Sequence, residues 1–289
     1  MLVDLISVTT SDGITLDGAF FPAAADASGP GPVDAMLLIH GSGGRFYAPA
    51  TRIMAEDLSR RGYPCLALNT RGHDTVWMDT ATGVAHGNAF EILDLSRPDL
   101  RAGVDFLAEK GYQRIGLLGH SMGAVKVTYY AAWEDDPRVG TVIPISPVRL
   151  SYSYYMDSPD AREFQENMER ADQMESEGRA LELMKAEFPL SQYFSAASYL
   201  DKHGPAERYN LVTLAPRVKV PLFTIAGSLE THTRLIDMAS DLALAAVNSP
   251  RAEHMIIDGG NHSLQNRKPE ASLAVLNWLA SLAPEQVNA

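Results

Sequence analysis

Ile115-Gly116-Leu117-Leu118-Gly119-His120-Ser121-Met122-Gly123 passes from a short apolar stretch to a serine with glycines on either side, and a helical pattern follows. Such a run reads as a strand, a sharp turn and a helix, an arrangement that lifts a serine hydroxyl above the end of a sheet. Glycine at both ends permits a crowded, strained turn that a β-carbon would obstruct. Ser121 is therefore the expected nucleophile, and its chemistry dictates what else the chain must supply.

A serine hydroxyl is a poor nucleophile at neutral pH. It needs a base to take its proton and a carboxylate to hold that base in the right tautomer. Near the end of the chain, Ile256-Ile257-Asp258-Gly259-Gly260-Asn261-His262-Ser263 sets a histidine in a glycine-rich loop between the last apparent strand and the final helical pattern. His262 is the expected general base; the other seven histidines have weaker settings, with His40 and His120 flanking turns. The acid is expected after the penultimate strand, where Leu222-Phe223-Thr224-Ile225-Ala226-Gly227-Ser228-Leu229-Glu230 ends on a carboxylate. Glu230 is the first choice, and Asp258 and Asp237 are the alternatives.

Attack on a carbonyl develops an oxyanion, which fixed backbone amides stabilise by about 3 kcal/mol per donor. The amide of Met122, just after the nucleophile, is one expected donor. The second is expected from His40-Gly41-Ser42-Gly43-Gly44, which follows the apolar Leu37-Leu38-Ile39, with Ser42 first and Gly43 next. A phosphate-cradling loop is disfavoured there, because the Lys-Ser/Thr ending of a P-loop is absent and the spacing does not match a dinucleotide fingerprint. Arg71, His73 and Asp74 stand together in Asn69-Thr70-Arg71-Gly72-His73-Asp74, but a structural role is expected: Arg71 for loop carbonyls, Gly72 for a positive φ. His73, Asp74, Asp79 and His86 match no zinc or calcium spacing, so no metal is expected.

Around these motifs, short apolar runs at 35–39, 65–68, 115–118, 141–143, 222–225 and 254–257 alternate with amphipathic segments such as Leu100, Val104 and Leu107, and later Leu273, Leu276 and Leu279. Runs of this kind suit strands buried on both faces. The expected fold class is α/β, a mostly parallel sheet with helices on both faces. Segments 5–10 and 14–21, separated by Ser11-Asp12-Gly13, read as an antiparallel edge hairpin, and Pro and Gly over 23–32 mark a loop. The alternation breaks once, over 147–205, where the pattern turns helical, charged and aromatic with no convincing buried strand. That stretch reads as an inserted cap between core segments 1–146 and 206–289. Its Tyr152, Tyr154 and Tyr155 are expected to pack the cap onto the core, with an aromatic wall over a substrate as the alternative.

The chain has 289 residues, 46% hydrophobic content and net charge −12, enough for a sizeable core and unfavourable for nucleic acid or anionic membrane surfaces. Ten acidic residues against four basic ones fall between Asp157 and Glu187, which reads as a solvated helical face. No run approaches the roughly 18 apolar residues of a membrane span, and the first residues lack a basic region followed by a long apolar stretch. A soluble, cytoplasmic protein is expected. The single cysteine, Cys65, lies in an apolar run and reads as a buried structural thiol.

Taken together, His40-Gly41-Ser42-Gly43-Gly44, Gly119-His120-Ser121-Met122-Gly123, Glu230 and His262, in the order Ser, acid, His, resemble the α/β-hydrolase superfamily over nearly the whole chain. The resemblance implies an eight-stranded, mostly parallel sheet with the helical cap inserted after the sixth strand. It also implies a serine hydrolase acting on a small-molecule ester through an acyl-enzyme, without cofactor. The stretch from Arg170-Ala171-Asp172-Gln173-Met174 through Ala206-Glu207-Arg208-Tyr209-Asn210-Leu211 is similar to the cap of fungal hydrolases that cleave ester bonds in hydroxamate siderophores, although Met122 departs from the residues of that group. The same constellation serves amide, thioester or carbon-carbon hydrolysis and acyl transfer, and the fold also occurs in proteins that bind a small ligand without turning it over.

Overall fold

Apolar runs become strands here because helices cover both faces of the sheet they form. The computed structural model describes residues 2–24 and 33–282; the loop expected over 23–32 lies, from residue 25 onward, outside the described residues. Strands β1 (Asp4–Thr9), β2 (Thr15–Phe21), β3 (Ala35–Ile39), β4 (Cys65–Leu68), β5 (Ile115–His120), β6 (Val139–Ile145), β7 (Leu222–Gly227) and β8 (Ala252–Ile257) make one sheet in the order β1-β2-β4-β3-β5-β6-β7-β8. β1 and β2 form the antiparallel hairpin, turning at Gly13 with φ +89°, and β2 pairs antiparallel with β4. Every other pairing is parallel.

The two-residue period of a strand divides β3 between two cores. Met36 and Leu38 face helices α1 (Pro49–Arg60) and α9 (Lys268–Ser281), meeting Met54, Leu58, Val275 and Trp278. Ala35, Leu37 and Ile39 face α2 (Ser96–Glu109) and α3 (Met122–Trp133), meeting Leu100, Val104 and Leu107 from one and Val127 and Tyr130 from the other. A third cluster packs α3 against α7 (Leu211–Leu214) and α8 (Met238–Ala245). Cys65 is buried, and burial pushes its thiol far above the ordinary range.

Two expectations change at the far edge. β8 pairs only with β7, so His254, Met255 and Ile256 are exposed rather than buried on both faces. In α9 the inward stripe is Ala271, Ala274, Val275, Trp278 and Leu279, which leaves Leu273 54% exposed. Leu273 sits at helical spacing from Leu276 and Leu279, yet Ala271 and Ala274 take the inward positions beside Val275 and Trp278.

Between β6 and α7 lie α4 (Tyr152–Met156), α5 (Ala161–Ser176) and α6 (Ala196–His203). An antiparallel hairpin, Leu183–Ala186 with Gln192–Ser195, stands among them where no strand was expected. Each strand has four residues, with Met184 and Ala186 buried in the first and the adjacent Phe194 and Ser195 in the second, too short a pattern to stand out in the sequence. The segment has its own apolar cluster of Tyr155, Phe164, Met168, Met174, Phe194 and Tyr199. The other face of α5 is solvated, and its surroundings carry surface ion pairs such as Arg179 with Glu177 and Glu182.

Candidate active site

Ser121 caps α3 at the C-terminal end of β5 with φ +57° and ψ −117°, so the strain of the turn resides in the serine itself. The flanking glycines serve close approach. A β-carbon on Gly119 would lie 2.1 Å from the Gly123 carbonyl oxygen, and one on Gly123 would lie 2.4 Å from that of Ile39. Ser121 is 7% exposed and its amide donates to the Ile145 carbonyl at 2.9 Å.

The loop after β8 carries His262 back over the sheet, with Nε2 2.9 Å from Ser121 Oγ. On its other side Nδ1 lies 3.0 Å from Oε2 of Glu230, which follows β7. The second carboxylate oxygen of Glu230, Oε1, accepts from Ser146 Oγ at 2.6 Å and from the Gly227 amide at 2.8 Å. Burial raises the cost of ionising Glu230, but the hydrogen bonds from His262, Gly227 and Ser146 outweigh it and hold the carboxyl below its ordinary range. With its carboxyl ionised, Glu230 offers an acceptor for an Nδ1 proton of His262, an arrangement in which Nε2, on the side of Ser121, can act as a base. Asp258 is exposed and faces Ser228, 3.5 Å away, while Asp237 caps α8; neither stands at His262.

Ser42 and Gly43 follow β3. The His40 ring shapes this loop, donating from Nδ1 to the Gly41 carbonyl at 2.8 Å and accepting from the Thr70 amide at Nε2 at 3.1 Å. Burial drives His40 down to about 3, so the ring is neutral and its tautomer is set. Gly43 takes φ +57°, and Gly41 passes so close to the nucleophile that a β-carbon on it would lie 3.0 Å from Ser121 Cβ. Among the described residues, neither the Ser42 nor the Gly43 amide has an acceptor, and Met122 opens α3, where amides have no intrahelical partner. Ser42 and Met122 line one pocket, walled on the other side by Leu150, Tyr155, Leu190 and Phe194 of the segment between β6 and α7. Tyr155 is fully buried in that segment and its hydroxyl donates to the Arg149 carbonyl, so packing and pocket lining coincide in one ring. Tyr154 instead lies under the Arg149 guanidinium, and Tyr152 packs edge-on to Phe164.

Arg71 is committed elsewhere. It pairs with buried Asp99 and with Asp12, each at 2.8 Å, rather than with loop carbonyls. Gly72 has no positive φ; it is needed because a β-carbon would lie 1.8 Å from Glu91 Oε1. His73 bonds Asp74 at 2.7 Å and stacks on Trp77. Sequence reasoning missed Ser146 and a buried cluster beneath the His40 loop, where Glu91 meets Lys126 at 2.5 Å and Lys202 at 3.1 Å. A lone lysine in the otherwise apolar α3 was its only signal.

Solved structures share this architecture. Est1E from Butyrivibrio proteoclasticus is 16% identical, with TM-score 0.66, covering 96% of this chain and 98% of its own. The alpha/beta hydrolase GrgF from Penicillium sp. sh18 is 18% identical with TM-score 0.69, and 98% of each chain is covered. A soluble variant of monoglyceride lipase from Saccharomyces cerevisiae is 15% identical with TM-score 0.69, covering 98% of this chain and 97% of its own. No curated protein matches the sequence. Among the described residues no helix is long and apolar enough to cross a membrane. A family model described as alpha/beta hydrolase fold matches residues 34–182, just over half of the chain, and with the strand order above it identifies the protein as a member of the alpha/beta hydrolase fold family.

Proposed function

We propose that this protein is a serine hydrolase that cleaves a small carboxylic ester through an acyl-enzyme, with residues 147–205 as the cap over its substrate. The observation that carries the reading is the position of His262, 2.9 Å from Ser121 Oγ and 3.0 Å from Glu230. His262 Nε2 takes the proton of Ser121 as Oγ attacks the ester carbon, and the carbonyl electron pair moves onto oxygen. The amides of Met122 and Ser42, with Gly43 beside it, meet that oxyanion. Collapse expels the alkoxide, which leaves as the alcohol with the proton from His262. Water then attacks the acyl-serine, gives its proton to Nε2, and the acid departs as Ser121 is reprotonated. Glu230 stays ionised throughout and balances the imidazolium. No step calls for a cofactor.

The esterase and lipase names of solved structures with this fold are in keeping with ester cleavage. The test is steady-state hydrolysis of p-nitrophenyl acetate and longer acyl homologues by the full chain and by Ser121→Ala. Turnover that falls by at least about 10³-fold in the variant is expected. Undiminished turnover in Ser121→Ala would overturn the assignment.

A further inference from the structure

An acidic chain of net charge −12 lines the pocket beside its nucleophile with two arginines, Arg149 and Arg234, and with no carboxylate. Arg149 is partly satisfied, since its Nη2 bonds Asp241 at 2.7 Å and the Ile236 carbonyl at 3.2 Å. Arg234 is different. Among the described residues its guanidinium has neither an ion pair nor a hydrogen bond, although it is only partly exposed and lies in the pocket with Ser42 and Met122. Burial pulls it below the ordinary arginine range, with Tyr155 and Glu230 opposing, and Glu230 is already committed to His262, Ser146 and Gly227.

A second, independent observation points to a ligand. His203, from the end of α6, lines the same pocket, is 3% exposed, and its Nδ1 has no hydrogen-bond partner. Burial, Lys202 and Arg234 drive this imidazole down to about 3, so it is a neutral ring carrying one proton to donate. Buried polar groups without partners are costly, and a cation beside a neutral donor is a poor arrangement for packing alone. A planar guanidinium with unspent donors matches the two oxygens of a carboxylate.

We infer that the pocket binds the ionised end of an ester that carries a second carboxylate, with Arg234 pairing its two oxygens and His203 donating to it. The inference rests on the proposed ester hydrolysis and names its substrate class, a half-ester of a dicarboxylic acid or another carboxylate-bearing ester. The arginine then also positions the scissile carbonyl over Ser121, because one end of the substrate is fixed.

The experiment is isothermal titration of the full chain carrying Ser121→Ala with two probes, monobenzyl succinate and benzyl methyl succinate, which differ by a methyl cap on the carboxylate. The anion is expected to bind about 10- to 100-fold more tightly, the range for a hydrogen-bonded charged group. Arg234→Met in the same background is expected to reduce the ratio to below about 3-fold, and Arg234→Lys, which keeps the charge and loses the fork, to leave an intermediate value. Equal binding of the two probes, absence of binding by the anion, or a preference that survives Arg234→Met overturns the inference. Hydrolysis of both probes by the unmutated chain is read separately: failure there removes the ester reading, while the binding ratio still judges the pocket.

Discussion

Glu91→Ala is the substitution with the largest consequence for the framework under the site. The carboxylate of Glu91 is fully buried and faces two ammonium groups that are also fully buried, Lys126 of α3 and Lys202 of α6. Lys126 further donates to Thr70 Oγ1 at 2.8 Å, and the Thr70 amide holds His40 at the base of the Ser42 loop. Lys202 donates to the Asn88 carbonyl at 3.2 Å and ties the segment between β6 and α7 to the core. Alanine leaves both cations buried without a counter-charge, and removing one partner of a buried pair costs about 3–5 kcal/mol. For a domain of this size that is a fall in Tm of roughly 6–20 °C, at about 2–4 °C per kcal/mol. Burial opposes ionisation of Glu91, but Lys126 and Lys202 overcome it and bring its carboxyl from the ordinary 4.5 down to about 2. A depressed carboxylate stabilises fully above its unfolded value, so the difference between wild type and variant is largest above pH 4.5 and shrinks as pH falls towards 2. Equilibrium urea unfolding across that range, beside thermal scans, measures it. A variant within about 1 kcal/mol of wild type at pH 7 would refute the reasoning.

Three further substitutions probe the site itself. In the proposed mechanism Glu230→Gln removes the charge that fixes the Nδ1 proton of His262, and kcat is expected to fall by about 10³–10⁴-fold with the fold intact by circular dichroism; a loss under 10-fold contradicts the role. Ser146→Ala deletes the hydroxyl 2.6 Å from Glu230 Oε1, so kcat/KM is expected to drop by about 10-fold and the Glu230 carboxyl to rise towards its ordinary value. An unchanged pH–rate profile tells against that coupling. Gly123→Ala sets a β-carbon 2.4 Å from the Ile39 carbonyl oxygen, and urea unfolding is expected to show a loss of about 1–3 kcal/mol or more, with equal stability speaking against the close approach.

Much of this was legible in the sequence because strands and turns are local. The runs at Leu37-Leu38-Ile39 and Leu117-Leu118 have a length and composition that suit strands buried on both faces, and the glycines around Ser121, Ser42 and His262 mark turns by their chemistry. Proximity was harder to read. Glu230 and Asp258 each lie in the loop that follows a strand, and only the path of the chain after β7 brings one of them to Nδ1 while the other turns to Ser228. Pairing of Glu91 with Lys126 and Lys202 spans elements far apart in the chain, and no periodicity encodes such a meeting. Gly72 shows the same limit in miniature: a glycine required by a distant side chain looks identical to one required by its own backbone.

The central claim is that the acyl group is carried on Oγ of Ser121. Incubation with a fluorophosphonate probe, followed by intact mass and peptide mapping, tests it most directly. One adduct is expected, on the peptide containing Gly119-His120-Ser121-Met122-Gly123, absent from Ser121→Ala and slowed in His262→Ala. An adduct that forms on another residue, or labelling that persists in Ser121→Ala at the wild-type rate, would contradict the account.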